Sequence, residues 1–333
     1  MTQLTDNLPV HLTDVLAARK SIAPFLQPTP LFNYPSLSNM LGMDLWVKHE
    51  NHQPIGAFKV RGGVHLIANL PADQKRAGVI TASTGNHGQS IAYAARLFGM
   101  RAIIAVPQGA NPAKVTSMRN LGGEVVFHGE DFDEAREWVE QEAQDKGYRY
   151  IHSGNEPLLV AGVGTYALEI LEKEPQVDVI IVPVGGGSGA AGVCIVAKSI
   201  NPRIQVIGVQ AEAAPAAYLS WKEGRLVASE THTFAEGLAT RTAFALPQSI
   251  LRRHLDDFVL VSEDEMARAI VMLLAHTRNL AEPAGAAPLA AAIKLRRQLI
   301  DKRVAIILSG GNLSIEQLRQ VLSAEGGPAF SLV

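Results

Sequence analysis

From about residue 75 onward, short runs of β-branched and other apolar residues alternate with longer segments in which apolar positions recur every three or four residues. An uninterrupted apolar run fits a strand covered on both faces, and the longer segments fit amphipathic helices. The rhythm predicts an α/β protein with parallel sheet wrapped by helices. The candidate strands are Gly78–Ala82, Ala102–Val106, Glu124–Phe127, Val179–Val184, Gln205–Val209, Phe258–Val261 and Val304–Leu308. The helix-like segments include His87–Phe98, Asp133–Asp145, Thr165–Lys173, Glu263–Thr277 and Pro288–Gln298. Gly99 and Gly147 supply stops, and the Asn111–Pro112 and Asn201–Pro202 pairs punctuate further boundaries. There is no internal repeat and no low-complexity linker, so any division into domains rests on where the motifs fall.

Composition narrows the function. A chain of 333 residues allows about two domains and a large core that needs neither metal nor disulfide. The 30 Lys and Arg are offset by 32 Asp and Glu with no long block of one sign, which argues against a nucleic-acid partner. The longest apolar runs fall far short of the roughly 20 residues of a bilayer helix, so no membrane association is expected. Cys194 is the one cysteine and cannot form an intrachain bridge. The opening MTQLTDNLPV lacks the basic-then-apolar pattern of a signal peptide, so a cytoplasmic location is expected.

Three glycine- and polar-rich stretches each follow a predicted strand, the place where open α/β sheets bind ligands. In Gly185-Gly186-Gly187-Ser188-Gly189, glycines let the backbone turn sharply and present N–H groups ahead of a helix start, which suits a phosphate. The same region spells G-x-G-x-x-G from Gly187 to Gly192, with Glu212 twenty residues beyond, so a dinucleotide site is an alternative. Ser83-Thr84-Gly85-Asn86-His87-Gly88 offers hydroxyls, an amide and free N–H groups to a carboxylate or phosphate, or serves only as a helix cap. Ser309-Gly310-Gly311-Asn312 follows the last strand and offers one hydroxyl to a ligand heteroatom. A fourth stretch, from Gly56 to Gly62, places Lys59 between Phe58 and Val60 at a helix start, where desolvation and the helix dipole lower an amine's pKa. A phosphate cup, an activated lysine, a carboxylate-binding loop and a serine for a ring nitrogen are together the needs of pyridoxal phosphate acting on an amino acid.

Glu50 to Gly62, Ser83 to His87, Gly185 to Gly189, Glu282-Pro283-Ala284-Gly285 and Ser309 to Asn312 recur here in the order that resembles the threonine/serine dehydratase and serine racemase family, fold type II pyridoxal phosphate enzymes of the tryptophan synthase beta-like kind. The resemblance implies two open parallel-sheet domains with helices on both faces and the cofactor in the cleft between them. Residues 1–72 and 152–333 would form a large cofactor-binding domain, and 73–151 a small mobile one. It implies that Lys59 forms the internal Schiff base, Phe58 packs on the cofactor ring and Asn86 hydrogen-bonds the ring hydroxyl. Gly185, Gly186, Gly187, Ser188 and Gly189 would hold the phosphate, Glu282 would join the cofactor contacts, and Ser309 would face the ring nitrogen. Ser83, Thr84, Gly85, Asn86 and His87 would bind the substrate carboxylate, with Thr84 placed where racemases carry the serine that protonates the opposite face. The implied reaction is loss of the β-hydroxyl of a threonine- or serine-like amino acid to give a 2-oxo acid and ammonia. Amino-acid racemisation and a hydroxyectoine-degradation dehydratase are alternatives within the cofactor class; a nicotinamide-dependent oxidoreductase is the alternative outside it. A homodimer is expected by analogy.

Four departures qualify the resemblance. Ala57 replaces a serine common in relatives, and Val163 a glutamine, which points to a bulkier or modified substrate such as 3-phenylserine or 3-hydroxyaspartate. Thr84 carries a methyl that restricts its hydroxyl, favouring elimination over racemisation. Gln210 and Ala216 stand where cation-binding relatives have carboxylates, so no metal is expected there, although Glu212 is close. The chain stops at Val333, soon after the last predicted helix, so the regulatory domain that responds to isoleucine is not expected.

Overall fold

The computed structural model describes residues 8–324. Most of the opening stretch read for a leader, and the Val333 terminus read for a regulatory domain, lie outside the described residues. The strands are β1 (Leu31–Asn33), β2 (Asp44–His49), β3 (Val79–Ala82), β4 (Ala102–Val106), β5 (Glu124–Phe127), β6 (Arg149–Tyr150), β7 (Val179–Pro183), β8 (Gln205–Ala211), β9 (Asp257–Val261) and β10 (Arg303–Leu308). They form two sheets among the described residues, one ordered β1-β2-β10-β7-β8-β9 and the other β5-β4-β3-β6. Every pairing is parallel except β1 with β2, which is antiparallel.

Alternate residues of each central strand enter different cores, which is why the strands read as continuous apolar runs. Ile180 and Val182 of β7 pack with the helices Pro157–Lys173 and Ser188–Ile200. Val179 and Ile181 face the helices Glu263–Thr277 and Pro283–Lys294 on the other side. In the smaller sheet, Ile80 and Ile103 meet the helix Phe132–Lys146. Ile104 and Val106 meet Ala92 of the helix Asn86–Leu97. Both sheets are therefore covered on both faces.

Local chemistry sets the helix ends. Ser262 and Glu265 form a reciprocal capping box at the start of Glu263–Thr277. Asp131 caps Phe132–Lys146 by accepting from the Asp133 and Glu134 N–H groups, and Gly147 ends that helix at φ +72°. Asn111 caps the helix that Pro112 opens.

Several sequence boundaries need correcting. The helix expected from Pro288 begins at Pro283, and Pro288 lies inside it. Pro283 occupies the first helical position, where its missing N–H is no loss, so it opens the helix ahead of Pro288. The segment expected from Thr165 begins eight residues earlier at Pro157 for the same reason. The short strands β1, β2 and β6 carry no clean apolar pattern; β2 even buries Lys48 and His49. Their pairing partners, not their own residues, make them strands. No helix among the described residues is long and apolar enough to cross a membrane.

Candidate active site

In an open parallel sheet, a crevice forms where chain connections leave in opposite directions from neighbouring strands. In the larger sheet the chain runs outward from β7 through β8 and β9, with β10 on the other side of β7, and in the smaller it runs outward from β3 through β4 and β5, with β6 on the other side of β3. The loops leaving the carboxyl ends of β10, β7, β3 and β6 carry Ser309 to Asn312, Gly185 to Ser188, Ser83 to Gly85 and Ile151 to Asn155. Three of the four are the glycine- and polar-rich stretches found by sequence. The fourth follows the two-residue strand β6, too short to give a pattern, although its Ser153-Gly154-Asn155 run is turn chemistry.

Lys59 opens the helix Lys59–Ala68, with Phe58 as its N-cap. Its Nζ donates to the Ser188 Oγ at 3.1 Å and to the Ser153 carbonyl at 3.2 Å, and lies 5.5 Å from the centre of the Phe58 ring. Enclosure by these neighbours, with no carboxylate among its contacts, pushes the amine down to about 8. Phe58 meets Tyr166 edge-on at 6.0 Å, and its N–H donates to the Ser309 carbonyl at 2.9 Å. Ser309 is itself buried at the end of β10.

The glycine loop is closely fitted. A side chain at Gly185 would overlap the Gly237 carbonyl, and Gly187 adopts φ +88° as the cap of Ser188–Ile200. The first-turn N–H groups of that helix have no intrahelical carbonyl partner, and the helix start, with the positive end of its dipole, lies against Lys59 through Ser188. This donor set, free of any basic side chain, fits a phosphate monoester. With the Lys59 amine beside it, the cradle fits pyridoxal phosphate.

Asn86 links the two sheets. Its Nδ2 donates to Glu282 Oε1 at 2.8 Å, while its Oδ1 accepts from Asn312 Nδ2 at 2.7 Å. Burial pushes the Glu282 carboxyl up to about 7, against the opposing charge of Lys114 and the Asn86 hydrogen bond. Lys114 pairs with Glu236, the residue beside Gly237, so an ion pair also spans the crevice. Ser90, on the helix after the Ser83 loop, donates to the Lys59 carbonyl at 2.8 Å.

Not every expected side chain turns toward the crevice. Ser83 Oγ accepts from the Gly85 and Gly88 N–H groups at 3.2 and 2.9 Å, so its hydroxyl acts as a cap. His87 is buried with Nε2 at 3.0 Å from Thr81 Oγ1, and burial followed by the Lys59 charge pushes it down to about 3. What the loop offers a carboxylate is therefore its backbone and the half-buried Thr84 and Asn86. His152 is held with Nδ1 accepting from the Gly154 and Asn155 N–H groups at 3.0 Å each. Gln210 is buried, accepting from the Tyr218 N–H at 3.0 Å and donating to the Leu238 carbonyl at 3.4 Å, while Glu212 is exposed. Ala57 and Val163 are fully enclosed, Val163 in the main core, so both positions serve packing. Ser153, Tyr166 and Lys114 escaped sequence reasoning, because only distant chain segments give them a role.

Comparison with known proteins bears on the family, the fold and the cofactor. Residues 22–310 match the family described as pyridoxal-phosphate dependent enzymes. An L-threonine ammonia-lyase of Thermotoga maritima is 38% identical over 315 residues, covering 94% of this chain and 78% of the relative. Among solved structures, the processed form of threonine deaminase isoform 2 from Solanum lycopersicum superposes with a TM-score of 0.91 at 32% identity, covering 95% of this chain and 92% of that one. Maize serine racemase follows with a TM-score of 0.89 at 31% identity, covering 95% and 98%. The dinucleotide reading of Gly187 to Gly192 falls away: Gly192 packs against Gly164 of the helix Pro157–Lys173, and the crevice is occupied by Lys59.

Proposed function

The chain belongs to the pyridoxal-phosphate dependent enzyme family, and from that premise we propose that it is a lyase removing the β-hydroxyl and amino groups of threonine or a close analogue. The carrying observation is the Lys59 amine, held by two neutral acceptors against a phosphate-sized glycine cradle. When bound, pyridoxal phosphate supplies an electron sink conjugated to the α-carbon of the amino acid. Gly185 to Gly189 would hold its phosphate and Lys59 its aldehyde carbon.

Lys59 Nζ takes the α-proton as general base, since an amine near pKa 8 exchanges protons readily at neutral pH. Ser309 would offer the cofactor's ring nitrogen a hydroxyl and no carboxylate, a pairing that would favour loss of the β-hydroxyl over return of the proton. The Ser83–Gly85 backbone with Thr84 and Asn86 would bind the substrate carboxylate. Approach of the smaller sheet, bridged by Asn86 and Lys114, would exclude water from the reacting centre. The residual ammonia is released when the enamine product hydrolyses in solution.

Because Ala57 and Val163 are committed to packing, they open no space for a larger side chain. Steady-state assays with threonine, serine, 3-hydroxyaspartate and 3-phenylserine should give threonine or serine the highest kcat/KM. Higher efficiency with either of the others would move the assignment to the bulkier amino acids, and production of the enantiomer without 2-oxo acid would replace it with racemisation.

A further inference from the structure

The Ser188 hydroxyl is not needed for the cradle, which is built of backbone. Ser188 is the first residue of its helix, Gly187 is the cap, and no side-chain cap bond is made there. Ser188 is buried, and its Oγ meets Lys59 Nζ at 3.1 Å. The other partner of that amine, the Ser153 carbonyl, can only accept. Neither nearby imidazole is a hydrogen-bond partner of Nζ: His87 holds Thr81 through Nε2, with its buried Nδ1 unpartnered, and His152 Nδ1 accepts from the Gly154 and Asn155 N–H groups. Of the two partners of Nζ, Ser188 alone can both take a proton from it and give one up.

Resting on the elimination reading above, we propose that Ser188 is a further catalytic residue, the relay that returns the proton gathered by Lys59 to the departing β-oxygen. Lys59 Nζ first forms an N–H bond as the substrate Cα–H bond breaks. The β-carbon–oxygen bond then breaks with its electron pair on oxygen. That oxygen takes the Ser188 Oγ proton and leaves as water, while Ser188 regains a proton from Lys59. Lys59 ends as the neutral amine and Ser188 unchanged, so atoms and charge balance. Direct transfer from Lys59 would make the hydroxyl dispensable.

A leaving group that needs no proton separates this role from simple support of the lysine. L-serine and 3-chloro-L-alanine share a carbon skeleton, but chloride departs without protonation. In the holoenzyme, Ser188→Ala should retain the visible absorbance of bound cofactor and exchange the α-hydrogen of L-alanine with deuterium, read by NMR. Its kcat with serine should fall about a hundredfold, and with 3-chloroalanine by no more than a few fold. Ser188→Gly, which adds no atoms to the cradle, should behave alike, and Ser188→Thr should recover serine turnover. Equal losses on both substrates together with lost exchange would make Ser188 a positioning residue and overturn the relay, as would undiminished serine turnover. A wild-type protein that binds the cofactor and exchanges alanine but eliminates from neither substrate would overturn the lyase reading itself.

Discussion

Two lysines point into the interior from neighbouring stretches of chain, and their surroundings differ in one respect. Lys48, the penultimate residue of β2, donates to the Thr29 carbonyl at 2.7 Å and to the carboxylate of Glu169. Arg61 binds Glu50 through two nitrogens at 2.7 and 2.8 Å and Glu169 at 2.6 and 2.8 Å, completing a group of two cations and two carboxylates. Burial pushes the Lys48 pKa down, and the Glu50 and Glu169 charges offset part of that push. Lys59 has only a carbonyl and a hydroxyl, so nothing charged offsets its enclosure. A lysine locked by carboxylates fastens β2 and the Lys59–Ala68 helix to Pro157–Lys173. A lysine without them keeps an amine that can lose its proton. The same residue type becomes framework or reagent according to whether an anion is supplied.

The largest effect should come from removing the reagent. Lys59→Ala should lose the visible absorbance of the bound cofactor and about 10⁴-fold or more of elimination activity, measured by spectrophotometry and 2-oxo acid production. Retention of both would end the assignment of Lys59. Lys48→Met should instead leave the absorbance in place and destabilise the fold by about 3–5 kcal/mol, since it leaves Arg61 alone to balance the buried Glu50 and Glu169 carboxylates; denaturant unfolding of the holoenzyme reads this. An unchanged midpoint would show that the charge group does not carry β2.

A smaller effect separates the two by pH. The folded chain holds Lys59 near 8, below the ordinary lysine value of 10.5, so the unfolded chain binds the proton more tightly. The Lys59 contribution to stability is therefore fully present above about pH 10.5 and is lost as pH falls through about 8. Lys59→Met should stabilise the cofactor-free chain at pH 7 by at most about 3 kcal/mol, and the gain should vanish near pH 10.5. A gain independent of pH would point to packing as its source.

Much of this architecture could be read directly from the residues. The apolar runs of β4, β5 and β7, the glycine loop before Ser188–Ile200, and Lys59 at a helix start are local patterns, set by strand burial, backbone freedom and capping. The resemblance added roles to positions already marked by such patterns. The direction of the His87 ring, the capping duty of Ser83 and the packing duty of Val163 were not legible, because each depends on which distant surface the side chain meets.

The sequence by itself determined an α/β chain with a lysine, a phosphate-sized loop and two further polar loops at strand ends, because those features follow from periodicity and turn chemistry over a few residues. Only the tertiary structure decided which groups touch the lysine. Ser153 and Ser188 lie 94 and 129 residues away along the chain, and Glu169 reaches Lys48 across 121. Strand order puts the four loops at the carboxyl ends of β10, β7, β3 and β6, and side-chain contacts join them into one site. Proton affinity depends on distances of a few ångström, which a linear pattern does not encode.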